Sequence, residues 1–292
     1  VANKSRPVIL LKGTLPSEIG PHGDGNVYAP DVHFDQGKLR MWYGGQGKDG
    51  HDRIHYAESS DGLTWSKRGV VFDDATANHV NDPSVIPLGD HYLMLYTVAG
   101  SGVTDRIDVA TSQDGLTWRR LDTAIKPGAN GTWDSLLVGR PSVLLDEGVF
   151  KMWFDGRKDL PLAAPDPTAA KSPNSRRAVG YATSNDGIHW KKHDGNPVFA
   201  QDAGGVHVSR SDRGYSMVFE SRTGTMIAHS KDGIEWDQPR VLQRTSGLAM
   251  DAYGHVTPCL SHEAAGLFLY TGAAPAASWD RNSIVRFLVD QR

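Results

Sequence analysis

Short apolar and aromatic runs alternate with turns rich in Gly, Asp and Pro along the whole chain, and the runs recur in a fixed order. One set opens at a proline: APDVHF (29–34), DPSVIPL (82–88) and RPSVLL (140–145). A second set is denser and more aromatic: LRMWYGG (39–45), HYLMLYT (91–97), FKMWFDG (150–156), YSMVFES (215–221) and LFLYTGA (267–273). From the proline to the methionine of the second run the step is 11 residues in the first three units: 30 to 41, 83 to 94 and 141 to 152. The third set is IHYAESS, IDVATS, VGYATS and MIAHS; the fourth is KRGVVFDD, RRLDTAI, GNPVFAQ and RVLQRTS. Runs of this length between turn residues predict β-strands.

Between the third and fourth runs the chain repeats itself almost letter for letter: SSDGLTW (59–65), TSQDGLTW (111–118), TSNDGIHW (183–190) and HSKDGIEW (229–236). The Ser hydroxyl and Asp carboxylate suit capping of backbone N–H groups in a tight loop. The Gly suits a positive φ, and the Trp is expected to pack between neighbouring units. A fifth unit starts near Asp251 and supplies three strands but no turn and no fourth strand. The missing piece lies at the other end, where RPVILLKG (6–13) matches KRGVVFDD in pattern. The expected fold is therefore all-β. It is a five-bladed β-propeller spanning 1–292 as a single domain, closed by the N-terminal strand pairing into the last blade.

Composition narrows the function. A net charge of −3 in 292 residues argues against nucleic acid. The one cysteine, Cys259, excludes an internal disulfide. No apolar run approaches membrane-spanning length, so no membrane partner is expected. The compartment is open, because a start such as VANKSRPVILLKG fits a cytoplasmic protein or one that has lost a leader.

Antiparallel strands put the repeated turns on one face, and the strand-one starts and strand two–three loops on the other. The second face is the expected site. It carries the longest excursion (155–178). Of the six glutamates only Glu18 and Glu220 can reach it. Asp24, Asp134 and Asp251 precede the strand-one prolines by six or seven residues, whereas Asp82 directly precedes Pro83. One residue past the proline position come Asp31, Ser84, Ser142, His207 and Cys259. Differing chemistries at equivalent positions suggest a site, or else strand starts that vary because they face solvent. Arg140 and Arg222 are candidates for holding sugar hydroxyls or a carboxylate. Trp133 is a candidate stacking platform or a core residue. His79, His207 and His255 map near strand-one starts, yet none has metal-ligand spacing. No metal or cofactor is expected, with room left for a structural calcium ion.

With these turns and the NDPSV start (81–85), the chain resembles the five-bladed propeller glycosidases, especially glycoside hydrolase family 43 and its relatives in families 32, 68 and 117. The resemblance implies a carbohydrate substrate and general acid/base cleavage by carboxyl groups around the channel. Carried onto this chain, it implies Asp31 or Asp24 as base, Asp82 or Asp134 as the orienting carboxylate, and Glu220 or His207 as acid. Asp251, His255, Arg140, Arg222 and Trp133 would bind substrate. Blade four departs from the family pattern: GGVHVSR (204–210) stands where a Glu–Gly–Pro is expected. The expected function is a glycoside hydrolase for a small glycoside or oligosaccharide, with furanosides and anhydro-sugars among the candidates. The alternatives are a carbohydrate-binding propeller without catalysis and a propeller transglycosidase or lyase.

Overall fold

The structure is a computed structural model that describes residues 6–100, 103–158, 177–221, 223–276 and 278–289. Over these residues it is all-β. The first strand, β1 (Val8–Leu11), stands apart from its sequence neighbours. The remaining strands pair antiparallel in consecutive groups. The first group is β2 (Val27–Asp35), β3 (Lys38–Gln46), β4 (Asp52–Ser59) and β5 (Ser66–Phe72). The next is β6 (His79–Pro87), β7 (Tyr92–Gly100), β8 (Val103–Ser112) and β9 (Trp118–Ile125). Then come β10 (Leu137–Asp146), β11 (Val149–Arg157), β12 (Arg177–Ser184) and the short β13 (Lys191–Lys192). After them run β14 (His207–Ser211), β15 (Gly214–Ser221), β16 (Gly224–Ser230) and β17 (Arg240–Arg244). The last group is β18 (Gly254–Glu263), β19 (Gly266–Ala274) and β20 (Ser283–Leu288), and β1 completes it by pairing with β20.

The core is divided among the contacts between groups. Trp42 and Tyr56 of the first group pack with Met94 and Tyr96 of the second. Leu95 and Val109 meet Met152 and Phe154. Trp153 and Tyr181 meet Met217 and Phe219, and Val218 meets Leu269 and Val285. Met41 and Tyr43 of the first group share a cluster with Phe268 and Tyr270 of the last. The first strands of the groups, β2, β6, β10, β14 and β18, are neighbours in that order, and β18 lies against β2.

The four repeated turns have identical wiring. In the second, Gly115 N–H donates to Ser112 Oγ at 2.9 Å, and the N–H groups of Leu116 and Thr117 donate to Asp114 Oδ1 at 2.8 and 2.7 Å. In three of the four, the glycine carbonyl also fastens the turn to the preceding group. Trp42 Nε1 donates to Gly115 O and Trp153 Nε1 to Gly233 O, both at 2.8 Å. Arg286 of the last group does the same for Gly62 O at 2.7 Å. The turn is a fastener of the ring.

Two expectations about the strands change. The strand-one prolines do not open their strands: β2 and β6 begin three and four residues earlier, and Pro30 and Pro83 lie inside them. GNPVFAQ (195–201) forms no continuous strand; its one ladder contact is the bridge Val179–Phe199. Most of the long excursion, 159–176, falls outside the described residues. No helix among those described is long and apolar enough to cross a membrane.

Candidate active site

Each X–Pro pair on the inner strands is a bulge. Register jumps between Tyr28 and Asp31, Asn81 and Ser84, Gly139 and Ser142, and Val256 and Cys259. The bulge explains the proline, whose missing N–H costs no ladder bond there. The residue before it takes left-handed backbone: Ala29 φ 49°, Asp82 50°, Arg140 49° and Thr257 42°, with Gly205 at 58° in the group that lacks the proline. Non-glycine residues held in this region cost energy and mark sites where the surroundings over-determine the backbone. All five line a narrow axial neck of about 30 Å³.

Above the neck the mouth widens. One cavity of about 370 Å³ is lined by Tyr28, Asp52, Arg140, Arg157, Arg177 and Glu220 among others. It shares Asp52, Arg140 and Arg157 with a lobe of about 230 Å³ that adds His79, Asp82, Asp105 and Asp155. On the other side it shares Arg177, Glu220 and Trp279 with a lobe of about 320 Å³. The size suits a small-molecule ligand.

The charges in the mouth are coupled. Arg140 Nη1 lies 2.9 Å from Asp155 Oδ2 and 3.8 Å from Glu220 Oε1. Arg177 also donates to Glu220, and Thr257 N–H donates to Glu220 Oε2 at 3.2 Å. Burial works to raise the Glu220 carboxyl, but Arg177 and then Arg140 outweigh it and hold it below its usual range. Asp82 goes the other way. Burial pushes its carboxyl up to about 7; Arg140 opposes this, and the charges of Asp155 and Glu220 add to it. Asp105 is raised as well, chiefly by burial. His79 Nδ1 donates to Asp52, and that bond raises the imidazole. Arg157 is pushed down to about 10 by burial and then by Arg140. The mouth thus holds a proton-bearing carboxyl, an ionised one and three guanidinium groups within one connected space.

Of the residues singled out from sequence, Asp82, Arg140 and Glu220 come together here. The others do not. Asp24 is exposed and pairs with Arg281 at 3.6 Å. Asp31 accepts Val85 N–H at 2.6 Å below the neck, where it joins strand to strand. His207 does the same for Leu260 N–H at 3.3 Å, and burial lowers its imidazole to about 4, which argues against an imidazolium acid. Asp134 is buried on Thr132 and Lys192. Trp133 tilts onto Phe154 and covers Gly156 and Gly180, a core position and not a platform. Asp251 accepts Ser246 N–H and Oγ at 2.6 and 2.7 Å, and His255 is fully buried on Thr225 and Phe287. Glu18 is a buried clamp between Tyr43 and Lys67. Arg222 lies outside the described residues.

Residues 17–133 match the model of glycoside hydrolase family 130, described as beta-1,4-mannooligosaccharide phosphorylase. The uncharacterized protein MT1551 of Mycobacterium tuberculosis (strain CDC 1551 / Oshkosh) is 36% identical over 138 residues, 44% of this chain and 45% of its own. The match therefore spans less than half of that relative. A solved glycoside hydrolase superposes with a TM-score of 0.74 at 18% identity, over 97% of this chain and 91% of its own. Zg3597, a family 117 glycoside hydrolase produced by the marine bacterium Zobellia galactanivorans, gives 0.71 at 18% identity over 98% and 91%. At such identities the likeness is one of fold. The structural matches show a shared fold, and the family match concerns residues 17–133.

The residues that sequence reasoning missed share one kind of address. Asp52, Asp105 and Arg177 lie at or near the start of third strands, and Asp155 and Arg157 end a second strand. Strand direction places both ends on the mouth face. The signal was present in the order of the runs, in charged residues that lie near the end of a second strand or the start of a third.

Proposed function

We propose that the protein cleaves glycosides in the mouth cavity and that Asp82 delivers the proton to the leaving oxygen. One observation carries this reading. A buried carboxyl pushed up to about 7 shares a connected cavity with Glu220, which two arginines keep ionised. Acid and base roles require two carboxyl groups with pKa values driven apart. As the bond from the anomeric carbon to the leaving oxygen breaks, its electron pair stays on that oxygen, which takes the Asp82 proton. An acceptor oxygen completes the new bond and gives up its proton to an ionised carboxylate of the mouth. Relative to the roles implied by the family resemblance, Asp82 is the acid and Glu220 the anchored charge. We also infer that the chain is one propeller of five blades over 1–292. The five strand groups, the neighbour order of their first strands and the β1–β20 pairing support this.

A second reading concerns the acceptor. Arg140, Arg157 and Arg177 all line the mouth, a guanidinium set suited to an oxyanion. The family matched by residues 17–133 is described as a phosphorylase. In this reading inorganic phosphate takes the place of water. The test is a panel of β-mannosides, furanosides and anhydro-sugar oligosaccharides, incubated with and without phosphate. Hydrolysis yields free sugar in both; phosphorolysis yields a sugar 1-phosphate only with phosphate. Asp82→Asn is expected to lower kcat by about 10²–10⁴. Full activity in Asp82→Asn overturns the assignment, and binding without turnover across the panel favours a lectin-like role.

A further inference from the structure

Below the neck, the residue after each bulge ties its strand to the next one. Asp31 accepts Val85 N–H, Ser84 accepts Val143 N–H at 3.0 Å, Ser142 accepts Val208 N–H at 2.8 Å, and His207 accepts Leu260 N–H. Cys259 takes the Val32 N–H. Ser84 and Ser142 show that a hydroxyl is enough for this bond. The other three positions carry carboxylate, imidazole and thiol, chemistry beyond what the bond needs. These three are also consecutive around the ring, on β14, β18 and β2. A ligand atom from each of Asp31, His207 and Cys259 lies within 4.8 Å of the others.

We propose that Asp31, His207 and Cys259 bind a divalent transition metal of the zinc class on the axis of the ring. Tetrahedral zinc holds its donor atoms about 3.3–3.8 Å apart, so small side-chain rotations close the observed spread. The donor set of sulfur, nitrogen and oxygen selects a borderline or soft cation over calcium, which takes oxygen ligands. Because Nδ1 of His207 accepts the Leu260 N–H, the ring proton sits on Nε2, and the metal would take the Nδ1 lone pair in place of that strand bond. His33 Nε2 sits 2.9 Å from Asp31 Oδ2 and orients the carboxylate as an outer-shell partner does. Burial, and then the charge of Asp31, keeps the Cys259 thiol protonated. On metal entry the S–H bond breaks, the sulfur–metal bond forms, and the proton leaves to solvent. A far-face cavity of about 280 Å³, lined by Asp31, His33, His207 and His262 among others, gives the route in.

The test uses the full chain, stripped with chelator and titrated with Co²⁺. One equivalent is expected to bind with a near-ultraviolet thiolate-to-cobalt band, and Zn²⁺ is expected to compete and raise the melting temperature. Cys259→Ser is expected to fold, because serine already serves at two equivalent positions, and to lose the band. An all-serine ring (Asp31→Ser, His207→Ser, Cys259→Ser) is expected to lose about 100-fold or more in affinity. Absence of stoichiometric uptake by the wild type overturns the site. So does a band that survives Cys259→Ser, or an all-serine ring that binds as well as the wild type. If the triple variant does not fold, the wild-type stoichiometry and the Cys259→Ser spectrum decide alone.

Discussion

Asp82 sits before a proline, in left-handed backbone, buried between two carboxylates and an arginine. Each circumstance is unfavourable alone, and together they leave a proton on an aspartate near neutral pH. Its folded pKa of about 7 lies above that of an unfolded aspartate, about 3.9. The stability linked to this proton is complete below about pH 4 and is lost as pH rises through 7. Asp82→Asn is therefore expected to be more stable than the wild type at about pH 8, by a few kcal/mol at roughly 1.4 per pKa unit. The gap should close near pH 4, as denaturant melts at both pH values will show. The alkaline limb of kcat/KM should fall with the same pKa. Glu220→Gln removes one of the charges that raise Asp82 and strips two arginines of a partner. It is expected to shift that limb to lower pH and to cost about 3 kcal/mol. A variant with an unmoved limb would uncouple the two carboxyl groups. Little of this was legible in the chain. The Asp–Pro pair was visible, but its pKa depends on Asp155 and Glu220, which come from other groups of strands. No local pattern records how close those carboxyl groups come.

The strands were legible because their apolar runs are short and the turns between them repeat. The bulges were not, because a proline reads equally as a strand start or as an interruption of the ladder. The same ambiguity hid the purpose of the ring at Asp31, Ser84, Ser142, His207 and Cys259. Different side chains at equivalent places suggested a catalytic site; what they share is acceptance of the next strand's N–H. The repeated turn was read correctly as scaffold, and its strength can be measured. Asp232 Oδ1 takes the N–H groups of Ile234 and Glu235, both at 2.9 Å. Those bonds hold its carboxyl below the usual range. The stability this gives is present above about pH 4 and is lost as pH falls further, opposite in sign to Asp82. Asp232→Ala is expected to cost about 1–2 kcal/mol at neutral pH, and a loss as large in acid would count against the capping role. The same turn accepts Trp153 through Gly233 O, so its loosening should reach the neighbouring group and show in the near-ultraviolet signal of that tryptophan.

At the scale of the molecule, every group has a neighbour on each side, and the last packs on the first. The strand β1 covers the outer edge of β20. Replacing Val8–Leu11 with Gly and Ser should uncover that edge and promote association between chains. Light scattering on heating will report it, and a variant that scatters no more than the wild type would show the edge to be protected otherwise. The ring of bulges has a different consequence. Ala29, Asp82, Arg140 and Thr257 already carry a side chain on left-handed backbone, whose cost is met by the ladder on either side. They behave as sockets set around a common axis. New chemistry plugged in at Ala29 or Thr257 would face Asp82 and Arg140 across the neck without asking the chain for a new turn. Gly205 is the one socket that stays shut, since a Cβ there would meet Glu220 Oε2 at 2.8 Å.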